Sequence, residues 1–253
     1  MTGAPATQPS KRSRTARLGT AGWSIPRAVA DQFPTEGSAL ERYAAVFDAV
    51  EINSTFYRPH RRSTFLRWAG ATPDGFSFSV KVPRAVTHDA RLVNGAEALA
   101  RFLDDLDPLR AKLGVLLVQL PPSLAFDQAV ADNFFGGLRR IDAELPVACE
   151  PRHASWFSGE ADDLLVACRV SRVAADPARP EGAGEPGGWR GLAYYRLHGA
   201  PRMYYSAYDG AAVAALAERL QAGAEPAWCV FDNTASGAAA ADALALQRLM
   251  TET

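Results

Sequence analysis

Lysine is scarce in this chain: of 27 lysines and arginines, only Lys11, Lys81 and Lys112 are lysines. Arginine supplies almost all of the positive charge, so a lysine turned inward carries information. Cysteine is scarce too. Cys149, Cys168 and Cys229 make an odd number with no CxxC spacing, which argues against a disulfide framework and for reduced thiols in a cytoplasmic protein. No apolar run approaches the ~18 residues of a membrane-spanning helix. A net charge of -1 lacks the basic excess expected of a non-specific nucleic-acid binder. The first eighteen residues are basic but have no apolar stretch, so they do not read as a secretory signal. Residues 1–16, rich in Pro, Ser and Thr, read as a disordered basic arm, and 17–253 as a single domain.

What is present is an alternation of short apolar runs with amphipathic ones. The strand candidates are Leu18–Gly22, Ala49–Asn53, Phe76–Val82, Gly114–Leu120, Val147–Glu150, Arg172–Asp176, Ala193–His198 and Ala227–Asp232. Between most of them sit helical patterns. Ser38 and Glu41 form a capping box ahead of Leu40, Tyr43, Ala44 and Phe47. Leu99, Phe102, Leu103 and Leu106 make a second apolar face, which Pro108 should end. Asp127 precedes a third, with Val130, Phe134, Leu138 and Ile141 on its buried side, and Asp209 a fourth, with Val213, Leu216, Ala217 and Leu220. An alanine-rich run from Ala235 to Met250 closes the chain. Between the sixth and seventh strands the helix is replaced by the Gly/Pro-rich loop PARPEGAGEPGGWRG. Eight strands alternating with helices predict an α/β fold of the (β/α)8 TIM-barrel type, somewhat irregular at that loop. An open doubly wound sheet is the alternative, but GTAGWS after the first strand is not the GxGxxG turn it would require.

Position then singles out function. In seven of the eight strands apolar residues come first and polar ones collect at the C-terminal end: Glu51 and Asn53, Lys81, Gln119, Glu150, Asp176, Arg196 and His198, Asp232 and Asn233. That end of a barrel is where loops from every strand converge on the active site. Alternation along a strand puts Ser77, Ser79 and Lys81 on one face, opposite Phe76, Phe78, Val80 and Val82. Arg196 and His198 likewise oppose Tyr195 and Leu197. The apolar set should meet the helices, leaving the charges inside the barrel. An unpaired buried charge costs several kcal/mol, so these groups must pair with one another or meet a polar ligand at the open end. Either they form a closed ion-pair plug or they line a working site. The added histidines, amides and aromatics favour the site.

The segments GTAGWS, FDAVEINSTFYRPH, FSFSVKVPRAVTHDARL, LGVLLVQLPPSL, ACEPRHASWF, YYRLHGAP, YYSAYD and CVFDNTASGAAAADAL resemble, in order, those of the YecE-like proteins, known as domain of unknown function 72. The resemblance runs from about Arg17 to Leu249. It implies a TIM barrel and no established activity. Ala21 stands where many relatives of that family carry serine, and Asp232 where others carry asparagine, which alters the charge at the mouth.

The candidate catalytic residues are Glu51, Lys81, Glu150, His198 and Asp232. Carboxylates near histidines offer acid and base partners whose pKa values separate with burial and mutual charge. Lys81 can stabilise developing negative charge or, if desolvated, act as a Schiff-base amine. Asn53, Tyr57, His88, Arg152, His153, Arg196 and Asn233 are candidates for substrate binding. Arginine suits bidentate recognition of carboxylate or phosphate, so the expected partner is a small polar anionic ligand, such as a sugar or a phosphorylated metabolite. Thr234–Gly237 could present N–H groups to a phosphate, although plain capping of the last helix explains the same residues. Trp23, Phe56, Tyr57, Trp156, Tyr204, Tyr205 and Tyr208 lie in the mouth loops, where they could stack on a sugar or base. His88, His153 and His198 with Glu51, Glu150, Asp176 and Asp232 include metal-ligand types, but no HxH or HExxH spacing occurs, so no metal and no cofactor is expected. His60, beside Arg58, Arg61 and Arg62, reads as surface. The expected enzyme is a metal-independent lyase, isomerase or hydrolase. The competing readings are a nucleic-acid-binding or phosphodiester-cleaving protein, using RPHRR, PRAVTH and PRMYY as a phosphate-tracking groove, and a non-catalytic small-molecule-binding module.

Overall fold

The computed structural model describes residues 16–251. The strands are β1 (Ala16–Thr20), β2 (Ala49–Ile52), β3 (Ser77–Lys81), β4 (Leu113–Gln119), β5 (Val147–Glu150), β6 in two segments (Val170–Arg172 and Ala174–Asp176), β7 (Ala193–Leu197) and β8 (Ala227–Phe231). The helices are α1 (Ala39–Ala44), α2 (Ser54–Tyr57), α3 (Arg62–Gly70), α4 (Ala96–Leu106), α5 (Gln128–Ile141), α6 (Gly159–Ala167), α7 (Gly210–Ala222) and α8 (Ala238–Thr251). The basic arm expected over residues 1–16 lies outside the described residues, except that Ala16 already begins β1.

Parallel pairing runs from β2 through β3, β4 and β5 to the first segment of β6, and from the second segment of β6 through β7 and β8 to β1. Two joints close the ring. β6 changes partner at Val173, whose N–H still donates to Cys149 O at 2.8 Å. β1 and β2 meet through an Ala21–Glu51 bridge and the Gly22 N–H donating to Glu51 O at 2.8 Å. The chain is therefore an eight-stranded parallel barrel with helices outside, a TIM barrel.

Alternation divides the apolar residues between two cores. Val50, Ile52, Phe78, Val80, Tyr195 and Leu197 face the helices and pack with residues such as Leu99, Phe102, Phe134 and Leu138. Ala49, Val115, Leu117, Ala148, Tyr194, Trp228 and Val230 fill the barrel. Tyr194 and Trp228 stack there with ring centres 6.1 Å apart and 8° between planes. This apolar floor carries the polar layer above it. The predicted capping box is formed: Glu41 N–H donates to Ser38 Oγ and Ser38 N–H to Glu41 Oε2. Pro108 does end α4, in a 3-10 turn over Asp107–Lys112.

Several expectations differ in detail. α3 and α6 are not among the helices read from periodicity, although Phe65, Trp68 and Ala69 in α3, and Ala161, Leu164 and Leu165 in α6, lie at helical spacing on their inner sides. Ile141, expected on the buried side of α5, is 51% exposed because the helix runs past the core at its last turn. In the Gly/Pro-rich loop, Gly187–Gly188 pairs antiparallel with Ser171–Arg172, continuing the sheet beside the first segment of β6. Gly188, at φ +61° and with no room for a Cβ against Val170 O, accounts for glycine in this pair.

Candidate functional site

Arg196, on the inward face of β7 and 0% exposed, is the keystone of the polar layer. Its Nε and one terminal nitrogen donate to the two oxygens of Glu51, at 2.9 and 2.7 Å. The same terminal nitrogen donates to Asp232 Oδ2 at 2.9 Å, and the other donates to Glu150 Oε2. One guanidinium thus ties β7 to β2, β5 and the end of β8. Glu51 also accepts from the Tyr194 hydroxyl at 2.9 Å, which in turn lies 2.8 Å from Ser79 Oγ. Glu51 and Arg196 are expected from the sequence at the mouth, with a catalytic and a ligand-binding role. The structure instead places both at the sealed bottom of the layer, because three carboxylates occupy the donors of Arg196. For these two groups the ion-pair plug is the observed arrangement.

Above the plug lies the imidazole of His198, 1% exposed. Nδ1 sits 3.1 Å from Asp232 Oδ2. Nε2 sits 3.4 Å from Glu150 Oε1, an ion-pair contact without a formed hydrogen bond. Burial would lower the pKa of this ring, but Glu150 and Asp232 outweigh it and raise His198 above its ordinary value. Burial likewise opposes ionisation of Glu150 and Asp232. Arg196 with His198 and Arg152 nevertheless holds Glu150 well below the usual carboxylate range, and Arg196, His198 and Lys81 lower Asp232. The centre is an imidazole ring between two carboxylates, both of which favour its protonated form.

The rim is more accessible. Arg152 donates through Nε to Glu150 Oε1 at 2.9 Å and reaches the Tyr204 hydroxyl at 3.3 Å, while its side chain stays 25% exposed. Asn53 donates to Asp232 Oδ1 at 3.3 Å, and its own Oδ1 is buried without a hydrogen-bond partner. Lys81 Nζ lies 4.2 Å from the centre of the Phe56 ring. Burial, and then the charge of Arg196, bring its pKa down to about 8 despite Glu51, Glu150 and Asp232. His88 packs edge-on against the same Phe56 ring at 4.8 Å, and burial with Lys81, Arg84 and Arg152 lowers its pKa.

Other predicted residues do not join the cluster. His153 caps the turn Ala154–Phe157 by accepting from Ser155 N–H at 3.2 Å. Tyr57 is 79% exposed. Asn233 follows the inward-facing Asp232 and so points outward, donating to Asp242 Oδ2 at 2.6 Å and Ser206 O at 2.9 Å. Asp176 also leaves the barrel, accepting from the Tyr208 hydroxyl at 2.6 Å. In the Thr234–Gly237 stretch the N–H groups of Ala235 and Gly237 donate to Tyr204 O and Thr234 O, which commits them internally. Trp156 is buried, with its indole N–H on Leu124 O. Tyr205 lies under Arg202, and Trp23 packs against Trp68. His60, expected on the surface, is half-buried against Trp68 and contacts Ser54 Oγ at 2.8 Å. In the expected phosphate-tracking segments, Arg62 pairs with Asp104 and Asp107 and Arg84 with Asp89, which spends that charge locally.

One contributor escapes the sequence reading, and two residues named there take contacts it does not assign. Tyr194 shares the inward parity of Arg196 and His198, a signal sufficient to find it. Gln119, at the end of β4, donates to Glu150 Oε1 at 3.3 Å. Phe56, legible as a mouth aromatic, forms the wall beside Lys81, a contact that spacing alone does not reveal. Among the described residues, no group of three His, Cys, Asp or Glu side chains is disposed to hold a metal ion, and no helix is long and apolar enough to cross a membrane.

Residues 17–253 match the family described as protein of unknown function DUF72. The UPF0759 protein YecE of Escherichia coli K12 is 31% identical over 149 residues, 58% of this chain and 53% of that protein. The UPF0759 protein YunF of Bacillus subtilis 168 is 27% identical over 150 residues, 56% of this chain and 52% of that protein. The match thus spans about half the length of these relatives. Among solved structures, a DUF72 family protein of Enterococcus faecalis V583 superposes with a TM-score of 0.79 at 22% identity, covering 93% of this chain and 95% of that one. One of Thermotoga maritima MSB8 gives 0.75 at 26% identity, covering 93% and 98%. With the family match running from the first strand to the end of the chain, and with the fold shared, this protein belongs to the DUF72 family.

Proposed function

We propose that the protein is an enzyme that moves a proton on a small, polar, anionic substrate bound at the C-terminal mouth of the barrel. The observation that carries this reading is the His198 ring, set between Asp232 and Glu150 with one ring nitrogen lacking a hydrogen bond. A histidine tuned upward from its ordinary value is a competent general acid near neutral pH, and its conjugate form is the matching base. Asp232 and Glu150 hold the ring and remain ionised. Arg152, the accessible cation of the rim, is the group that meets the substrate's carboxylate or phosphate. Asn53 Oδ1 is free to accept from a substrate hydroxyl. Arg196 and Glu51 keep the strand ends in register beneath them.

The test is a survey of sugar phosphates and small hydroxy- and oxo-acids incubated with the protein in deuterated water and followed by proton NMR. At least one compound is expected to exchange a proton or be converted. The rate should fall by about 100-fold or more in Glu150→Gln, since Glu150 positions and charges the His198 acid–base group, which contributes about that much, while circular dichroism stays unchanged. No exchange with any compound, unaltered rates in Glu150→Gln, or a ligand that binds and is returned unchanged would each overturn the reading.

A further inference from the structure

Two of the three lysines differ sharply in their surroundings. Lys112 Nζ is saturated, donating to Ala69 O at 2.7 Å, Thr72 O at 2.5 Å and Thr72 Oγ1 at 3.1 Å. Lys81 is 7% exposed and, among the described residues, makes no hydrogen bond and no ion pair through its amine; its close neighbour is the Phe56 ring. Three carboxylates share the bowl with it, yet each is committed elsewhere: Glu51 to Arg196 and Tyr194, Glu150 to Arg196 and Arg152, Asp232 to Arg196 and His198. An ammonium at Lys81 thus has no hydrogen-bonded or ion-paired carboxylate, only the more distant charges of Glu51, Glu150 and Asp232 and the face of Phe56.

We propose that Lys81 is a covalent amine nucleophile, forming a Schiff base with the carbonyl carbon of a small anionic aldehyde or ketone whose carboxylate or phosphate is held by Arg152. This rests on the reading of the mouth as a substrate site and names the substrate class. The neutral amine adds to the carbonyl carbon, a C–N bond forms, and the carbonyl π pair moves to oxygen, which takes up the proton lost by nitrogen. A second proton, drawn from solvent through the rim, converts that hydroxyl into water. The C–O bond breaks, the nitrogen lone pair completes C=N, and water leaves behind a protonated iminium; nothing is oxidised or reduced. The ring of Phe56 acts at both stages. It shields the amine from water, and its face meets the ammonium and the iminium alike, so the cation–ring contact is kept when the Schiff base forms. Proximity to a second cation, Arg196, and desolvation are the two means by which a lysine is made nucleophilic near neutral pH. With the ammonium brought down to about 8, roughly a tenth is neutral at pH 7, against less than about one in a thousand for a free lysine.

The experiment is borohydride trapping on the whole chain, with pyruvate, glyoxylate and dihydroxyacetone phosphate as probes, read by intact mass and peptide mapping. The expected product is a gain of one probe molecule less one oxygen atom, on the peptide that carries Lys81. It should rise with pH to half its maximum near pH 8. It should disappear in Lys81→Arg and in Lys81→Met and persist in Lys112→Arg. No adduct with any probe, or adducts on Lys11 and Lys112 as abundant as on Lys81, would overturn the proposal. If Glu150→Gln abolishes a turnover that leaves no trapped adduct, Lys81 loses its covalent role and the acid–base site stands. An adduct on Lys81 with no conversion of any compound does the opposite: the amine site stands and the acid–base reading falls.

Discussion

At the scale of single residues, the polar layer carries an electrostatic cost at Lys81. The pKa of Lys81 is lowered from 10.5 to about 8, which means the folded state holds its proton less tightly than the unfolded chain does. Between those values the unfolded chain binds more protons, so stability rises with pH. The cost is present in full below about pH 8 and is relieved as the pH climbs toward 10.5. Lys81→Met keeps the volume and the contact with Phe56 but removes the charge. It should therefore stabilise the protein at pH 7 by about 1–3 kcal/mol, with the gain shrinking above pH 8. Urea unfolding at pH 7 and pH 10 measures both; a loss of stability at pH 7 would mean that the ammonium has an ionic partner. Arg196 has the opposite character. Removing it would leave Glu51, Glu150 and Asp232 buried without their shared cation, a change of the kind that costs about 3–5 kcal/mol for one pair.

At the scale of elements, the β1–β2 joint shows how the ring closes where few ladder hydrogen bonds run. Gly19 is tight against Ala49 O, leaving no space for a Cβ. The Tyr43 hydroxyl, from α1, fills the gap: it accepts from Thr20 N–H at 2.8 Å and donates to Ala49 O at 3.1 Å. Tyr43→Phe would strand both backbone groups in a buried place. The expected loss is about 1–3 kcal/mol in the stability measured by urea unfolding, and a loss below about 0.5 kcal/mol would show that the joint closes without the tyrosine. Elements also mark the limit of reading by periodicity. The strands, α1, α4, α5 and α7 are legible because burial on one side imposes a stripe. α3 fully buries only Phe65, packs Trp68 and Ala69 against the core in part, and leaves Leu66 63% exposed, so its stripe is short and interrupted. α6 is short and begins with Gly, Glu and Ala behind a Ser158 cap, a pattern equally suited to a loop. The partner change within β6 is set by the ring as a whole and has no local signature.

At the scale of the molecule, alternation along parallel strands is what brings distant residues together. Glu51 and Asp232 lie far apart in the chain, on the second strand and just past the last, yet share one guanidinium. Parity locates Glu51, Lys81, Glu150, Arg196, His198 and Asp232 on the inner face, and closure of the barrel does the rest. The same rule, applied one residue further, places Asn233 and Asp176 outside, where they anchor to Asp242 and Tyr208. Depth within the mouth is not legible. Which carboxylates a single arginine claims, and hence that Arg196 and Glu51 are sealed while Arg152 and Asn53 reach the rim, depends on side-chain reach across the ring rather than on spacing. The resulting electrostatic arrangement can be measured directly. The four histidines give separable imidazole signals, and a pH titration by NMR, with His198→Gln for assignment, reports each one. His198 is expected to titrate above the ordinary value of 6.5 and to shift downward in Glu150→Gln, while His60 and His88 titrate below it. A His198 midpoint at or below 6.5, or one indifferent to Glu150, would contradict an imidazolium held between two carboxylates.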